Sequence, residues 1–466
     1  MEKLIILIVL VTGVIALAQL VRVYELSSKL KKKGEHDVND RDNHLNAKLM
    51  LGFMMFQFLG FIYLMLTYGW TGRGEAASLE GVETDWLLNL NFIIIIIVFF
   101  ITNFLLFFFS YKYVRKPGVK ATYYSHNNKL EAIWTVVPAI VLAVIIILGL
   151  QSWNDLTSGP TKKSVRIELF AKQFDWTARY SGENGKLGKY DYKLTNEGNN
   201  PLALKTTETI ESAKVETEKA IKALEDELKL AQLDHLTSGY RGLISASAYK
   251  SHIEEAYNAA LESDFNLVEV EQSYKHIYAD VQGLKGHVDV VIQEPNAETQ
   301  KIMDRLEEKL IVKGRILRSI VQMQQNYDSK YDDYAWDDII QTDTLYLCKG
   351  TEYEFSFRSK DVIHSAYFPH FRAQMNVVPG MPTRFKFTPS LTTEEMRKKK
   401  SDSKFNFILM CNKICGTAHY KMKMIVVVLP GKEYQNWEKS KQQNTFKDTY
   451  SAGEESEAPA NSEIKN

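Results

Sequence analysis

The chain has 466 residues, enough for more than one folding unit, and 45% of them are hydrophobic. Lys plus Arg and Asp plus Glu both total 57, so no net charge points to nucleic acid as a partner. The apolar residues gather at the N-terminus and the charges lie beyond them, which excludes a wholly soluble chain and indicates a membrane-anchored one.

Four apolar runs each approach the roughly 20 residues that span a bilayer. They are "LIILIVLVTGVIALAQLVRV" (4–23), "LMLGFMMFQFLGFIYLMLTY" (49–68), "NFIIIIIVFFITNFLLFFFSY" (91–111) and "IWTVVPAIVLAVIIILGLQSW" (133–153). The loops after the first and third runs are rich in Lys and Arg, and "GRGEAASLEGVETD" (72–85) between the second and third is acidic. Basic loops stay inside, so everything after Trp153 is expected outside. Residues 1–18 imitate a cleavable signal peptide, with Lys3, an apolar core and "ALA" at 16–18. Parity argues for retention, because removing that span would reverse both charge biases.

Beyond Trp153 the pattern changes. "SVRIELFAKQFDWTARY" (164–180) alternates apolar and polar residues and reads as a strand pair. Clear strands return in "TLYLCKGTEYEFSFRSKDVIHSAYF", "PTRFKFTP", "KFNFILMC" and "KMIVVVLP". The expected fold class is therefore a set of N-terminal transmembrane α-helices followed by an extramembrane Greek-key β-barrel or sandwich. Between the two β-blocks, residues 206–333 switch to Glu, Lys, Ala and Leu. Ile221, Leu224 and Leu228 recur at helical spacing, as do Met303, Leu306 and Leu310, which predicts a helical insertion. It carries no ligand-spaced cluster. The polar, acidic residues from 441 to 466 are expected to form a disordered tail. Cys348 reads as a buried strand residue.

One short loop concentrates chemistry: "CNKICGTAHYKM" (411–422) holds Cys411, Cys415, His419 and Met422. Thiolate and thioether are soft ligands that select copper, whereas methionine is not a usual zinc ligand. A mononuclear blue copper site uses one Cys, and this loop has a second. Two thiolates about one turn apart can bridge a pair of copper ions, and each ion then needs a nitrogen ligand. His364 is the candidate for the second. The alternatives are a zinc or mononuclear copper site, or a disulfide between Cys411 and Cys415, which would leave His364, His419 and Met422 unexplained.

Three motifs, "DVIH" (361–364), "VVPGM" (377–381) and "CNKICGTAHYKM", together resemble subunit II of cytochrome c oxidase. "EAIWTVVPAI" (131–140) is similar to the opening of that family's second membrane helix. The resemblance covers the last two spans (86–153) and both β-blocks (164–205 and 334–440), and leaves residues 1–69 and the insertion outside it. It implies a cupredoxin-like domain with a dinuclear copper centre, CuA. Cys411 and Cys415 would bridge the coppers, His419 would ligate one with the Lys413 carbonyl, and His364 the other with Met422. It implies that the chain accepts electrons from cytochrome c, or from a complex bearing it. They would pass to haem in subunit I, where oxygen is reduced to water and protons are translocated. Partners would be subunit I, other oxidase subunits and membrane lipid, in a bacterial plasma membrane with the copper domain on the periplasmic side.

Departures from the family sharpen these expectations. Lys413 stands where the family has a glutamate that binds magnesium; a cation cannot ligate magnesium, so that metal is doubtful here. In "QFDW" Phe174 replaces the surface tryptophan through which electrons usually arrive, with Trp176 as the second aromatic. Glu131 matches a glutamate at the mouth of a proton channel. Lys360, with Arg358 close by, replaces an acidic neighbour of Asp361, which favours a neutral, acidic or tethered electron donor. No C-x-x-C-H occurs, so no haem c is attached. A copper-free quinol oxidase subunit is disfavoured by the two cysteines, and a soluble copper protein by the membrane spans.

Overall fold

A computed structural model describes residues 2–30, 39–69, 73–159, 161, 164–244, 247–262, 264–284, 290, 292, 295, 297–441 and 444–457. The chain divides into two compact units, Met1–Ser158 with His370–Arg372, and Gly159–Pro369 with Ala373–Asn466.

The first unit is helical: α1 Glu2–Leu30, α2 Asp40–Tyr68, α3 Leu79–Lys112 and α4 Asn128–Thr157. Among the described residues, α2, α3 and α4 are long and apolar enough to cross a membrane, with mean hydropathies of 2.0, 3.0 and 2.8. Most of their apolar surface faces outward, as lipid-facing helices require. Side-chain caps start each one: Asn39, Ser78 and Asn127 accept from backbone N–H groups of the first turn. Phe58 and Phe61 of α2 interleave with Phe99 and Phe100 of α3, with centroids 4.6–5.9 Å apart. The expected first span lies in α1; most of the basic stretch after it falls at 31–38, outside the described residues.

The second unit is built on two five-stranded sheets. The first contains β1 Val165–Lys172, β2 Asp175–Tyr180, β3 Ile339–Gln341, β5 Tyr353–Ser359 and β8 Thr383–Phe387, in the order β3-β2-β1-β5-β8. The second contains β4 Thr344–Cys348, β6 His364–Phe368, β7 Ala373–Val377, β9 Phe407–Cys411 and β10 Lys423–Leu429, in the order β4-β10-β9-β6-β7. Most neighbours are antiparallel, while β1 with β5 and β4 with β10 run parallel. Phe355, Phe385 and Phe387 of the first sheet meet Phe368 of the second at 5.4–5.8 Å between ring centroids. All four are essentially fully buried, and each ring contributes roughly 1.5–3 kcal/mol by leaving water.

Between β2 and β3 the chain leaves as helices, matching the expected insertion. These are α5 Thr207–Leu243, α6 Ser247–Leu261, α7 Leu267–Gln282 and α8 Ala297–Asn326. Helix α5, with 37 residues, is roughly 55 Å long at 1.5 Å per residue. Its base is fixed by Ile210 packing with Ile320 and Met323 of α8 and with Leu194 from the β-domain. Its far end is fixed by Tyr240, Ile244, Ile253 and Tyr274. A short α9 (Asp333–Trp336) then returns the chain to β3.

Helices α10 (Thr393–Lys400), α11 (Gly431–Lys441) and α12 (Phe446–Glu457) complete the unit. Helix α12 corrects the expectation of a tail disordered from residue 441. Phe446 and Tyr450 are buried against Phe170, Leu202, Leu204 and Ala335, and two rings in an acidic stretch suffice to hold a helix there. Residues 458–466 of that expected tail lie outside the described residues. Cys348, expected buried, ends β4 partly exposed.

Candidate metal centre

The site is made by strand register. Strands β6 and β9 pair antiparallel with Ala366 opposite Cys411, which sets His364 beside the end of β9. His364 opens β6. Strand β10 pairs β9 with Lys423 opposite Met410, and the Cys411 N–H donates to the Met422 carbonyl at 3.0 Å. The loop 411–422 is thus closed at its base by sheet hydrogen bonds, with Cys411 and Met422 face to face.

Inside that loop, one donor atom each from His364, Cys411 and Cys415 lie within 4.8 Å of one another, all three residues buried. The two Sγ atoms are 3.9 Å apart. Cys411 Sγ is 3.9 Å from His364 Nδ1 and donates to the Lys413 carbonyl at 3.1 Å. Cys415 Sγ is 3.5 Å from His419 Nδ1 and 3.8 Å from Met422 Sδ. Every ligand expected from the sequence therefore converges on the two thiols: His364, Cys411, the Lys413 carbonyl, Cys415, His419 and Met422. Neither thiol is in a disulfide. The Lys413 side chain itself is exposed.

Sequence reading missed two residues that hold this arrangement. Asp361 Oδ1 is 2.8 Å from His364 Nε2, leaving Nδ1 toward the thiols. Its other oxygen accepts the Gln173 N–H at 2.7 Å. Burial raises the Asp361 pKa, but the Gln173 N–H and His364 outweigh it and leave the carboxyl below its ordinary value. An ionised Asp361 is the usual carboxylate support behind a metal-binding imidazole. The Gln173 side chain donates to the Cys415 carbonyl, joining the β1–β2 turn to the loop. The signal was present, since Asp361 belongs to the quoted "DVIH" and Gln173 to "QFDW".

The two aromatics of that turn differ. Phe174 is half-buried and lies over Gly416, where an added Cβ would come within 2.8 Å of the ring; with φ at +144°, only glycine suits this position. Trp176 is fully buried, 6.3 Å from the His364 ring in an edge-on arrangement. Of the pair, Phe174 is the one with surface. Around it the loop exposes Ile414 (88%) and Tyr420 (77%), and Ile363 is also exposed. Arg358 is buried and paired with Glu168, so it adds no charge to this surface. Lys360 is paired with Glu197.

The donor chemistry fits a soft metal. Burial, together with the neighbouring Cys411, pushes the Cys415 thiol up to about 11. The Cys415 thiol therefore resists ionisation unless a cation offsets the charge, and metal binding does so by displacing its proton. Two thiolates, two imidazoles, a thioether and a carbonyl form a set suited to copper.

Glu131 sits apart, in the first turn of α4. Its carboxylate accepts the Asn127 N–H at 3.2 Å and lies 3.9 Å from His126 Nδ1.

Residues 71–152 match the family model for the transmembrane domain of cytochrome c oxidase subunit II. The alternative cytochrome c oxidase subunit 2 of Bradyrhizobium diazoefficiens is 36% identical over 116 residues, 25% of this chain and 37% of that protein. Residues 71–152 thus resemble the transmembrane domain of cytochrome c oxidase subunit II. Subunit 2 of Thermostichus vulcanus is 29% identical over 115 residues, 23% of this chain and 31% of its own length. The chain thus matches about a third of the length of these relatives. The solved periplasmic domain of subunit II from Bradyrhizobium japonicum aligns with 23% of this chain and 81% of its own, at 16% identity and a TM-score of 0.20, too low to speak for a shared fold. The transmembrane-domain match and three bilayer-length apolar helices make this a membrane protein.

Proposed function

We propose that this chain is the electron-accepting subunit of a membrane-bound haem-copper oxidase. In that role it takes electrons from a cytochrome c and passes them to subunit I, which reduces oxygen to water with proton translocation. The observation that carries the proposal is the convergence of His364, His419 and Met422 on the paired thiols of Cys411 and Cys415, in a chain whose membrane segment matches the family. Cys411 and Cys415 would hold a dinuclear copper centre between them, His364 and His419 would each supply one nitrogen, and Met422 and the Lys413 carbonyl would be the weaker ligands. Such a centre would supply a store for a single electron beside these residues.

The chain's own residues do the rest. Asp361 fixes the His364 ring, and the sheet hydrogen bond between Cys411 and Met422 fixes the loop base, so the ligands keep their places as charge comes and goes. Phe174, Ile414 and Tyr420 offer an apolar surface beside the ligands, bordered by the exposed Lys413 and Lys421 and suited to brief docking of a cytochrome. Trp176, behind His364, supports the ring rather than meeting the donor. Glu131 takes the place of a proton-channel mouth at the start of α4. Residues 1–69 and the insertion at 206–333 are additions that leave this role intact. The copper domain lies on the periplasmic side of a bacterial plasma membrane.

The test is electron acceptance by the copper-loaded full chain. Stopped-flow mixing with reduced cytochrome c should oxidise the cytochrome in one phase, and no oxidation above the copper-free chain would contradict the proposal. In the assembled oxidase, E131Q should slow turnover while leaving that first phase unchanged.

A further inference from the structure

Between its two ends the insertion is a pair of long helices. At the base, Ile210 of α5 packs on Ile320 and Met323 of α8, and the Gln324 amide donates to the Glu211 carboxylate. At the far end, Ile253 of α6 and Tyr274 of α7 pack on Tyr240 and Ile244. The two helices run antiparallel, so Ala223 is level with Val312, and Glu227 with Glu308 and Lys309. At those levels lies an open groove of about 620 Å³, floored by Ala220, Ala223, Leu224 and Val312. Ala223 is exposed, Val312 is 47% exposed, and farther along the same side of α8 Ile302 is 51% exposed. None of the lining side chains is a buried polar one, so a small polar ligand would find nothing to fix it. Small residues at Ala220 and Ala223 instead allow another helix to approach closely.

The charges beside the groove differ from one helix to the other. On α5 the groove side carries Glu216, Ala220, Ala223 and Glu227, spaced four, three and four apart. On α8 the same spacing gives Arg305, Lys309, Val312 and Ile316. Lys313 also lines the groove, with Glu308 as the one acid on that side. The α5 ridge is therefore acidic and the α8 ridge basic. Glu216 is held by the Asn196 amide at 2.6 Å, which closes the face toward the base. Ion pairs in the insertion join other residues, such as Lys214 with Glu211 and Lys229 with Asp264. Glu227 and Lys309 have no such pair among the described residues. A partner must bring a basic ridge to α5, an acidic one to α8 and apolar residues between them. A uniformly acidic or basic helix would be repelled by one of the two ridges.

We propose that this groove docks a second copy of the chain, the two α5–α8 hairpins lying face to face about a two-fold axis parallel to the helices. That operation sets each α5 against the partner's α8 at the same level, with all neighbouring helices antiparallel. Ala223 then meets the partner's Val312, and Glu227 meets the partner's Lys309. Each contact is made twice, as an isologous interface requires. The open stretch runs for about 20 Å, from Ala220 to the level of Ile302, so the pair is a weak, reversible one. The docking face is independent of the metal ligands.

The experiment is sedimentation velocity of the full chain in detergent between about 1 and 100 μM, where a weak pair dissociates on dilution. A monomer–dimer equilibrium is expected. E227K and K309E, both at exposed positions, should each weaken it by about tenfold or more, because like charges then meet at both contacts. Circular dichroism should show their helices intact. Mixed one to one, the two variants should pair again, since the mixed dimer brings a base at 227 of one copy to an acid at 309 of the other, and the reverse. A monomer at every concentration would overturn the proposal, as would a dimer that neither variant weakens. Loss of the dimer in both variants without recovery on mixing would overturn the two-fold pairing of α5 with α8.

Discussion

The β-domain contains two buried polar centres built on opposite principles. Around Arg179, hard charged groups satisfy one another: Arg179 meets Glu168 at 2.8 Å, donates to the Gly188 carbonyl and binds Asp338. Around Cys411 and Cys415, thiol, thioether and imidazole groups crowd together at 3.5–3.9 Å. The first centre is nearly closed by its own side chains and ties β1, β2, β5 and the approach to β3. The second gathers donors around the Cys415 thiol, whose proton is held by burial and by the neighbouring Cys411 and is released most readily to an arriving cation. The contrast is one of chemistry: charged side chains that satisfy one another tie strands together, while soft donors from one loop and one strand gather around two thiols.

Breaking each centre should therefore do different things. The largest effect is expected at the thiols. C411S or C415S should abolish the shared-valence copper signal and electron acceptance while leaving the fold, read by circular dichroism, in place. R179A should do the reverse, costing about 3–5 kcal/mol of stability because Glu168 is left buried with one cation fewer and Asp338 with none. Denaturant unfolding of the full chain in detergent measures it, and the fraction still folded should bind copper normally.

The pH dependence sharpens the comparison. The Asp338 pKa is raised to about 7 by burial, so the folded state holds that proton more tightly than the unfolded chain. Its contribution to stability is full below about 4, near the ordinary aspartate value, and is lost as pH rises through about 7. Glu168 is lowered to about 2, so its contribution is present above about 4 and lost only as pH falls through about 2. D338N should flatten the decline in melting temperature between pH 4 and 7 relative to the unaltered chain; an unchanged slope would assign the decline to other groups. The smallest effects belong to the surface. K413A should leave copper content unchanged, because only its backbone carbonyl faces the thiols. Electron transfer from a basic cytochrome c should not fall with salt, because Arg358 is buried, Lys360 is offset by Glu197 and the loop exposes Lys413 and Lys421.

The sequence disclosed the second centre far better than the first. Metal ligands within twelve residues are legible because loop spacing nearly determines their distance, and His364 was found through the company of Asp361 and the later motifs. The insertion was legible because helical spacing of apolar residues survives without tertiary information. The Arg179 network was not, since its members lie 11 to 159 residues from Arg179 and look like ordinary surface charges until the strands pair. Arg358 was assigned to the surface for the same reason. Helix α12 was hidden by composition: its acidic residues outweigh Phe446 and Tyr450 in any average, yet those two rings decide its packing. Asp361 and Gln173 stood in quoted motifs, but their partners became visible only once the β1–β2 turn was placed against the loop.

The central claim is that Cys411 and Cys415 together hold one electronically shared metal pair. Its most direct test is copper analysis and electron paramagnetic resonance on the copper-loaded full chain. The account predicts two coppers per chain and a spectrum in which one unpaired electron couples equally to both nuclei. One copper per chain, or coupling to a single nucleus, would contradict it.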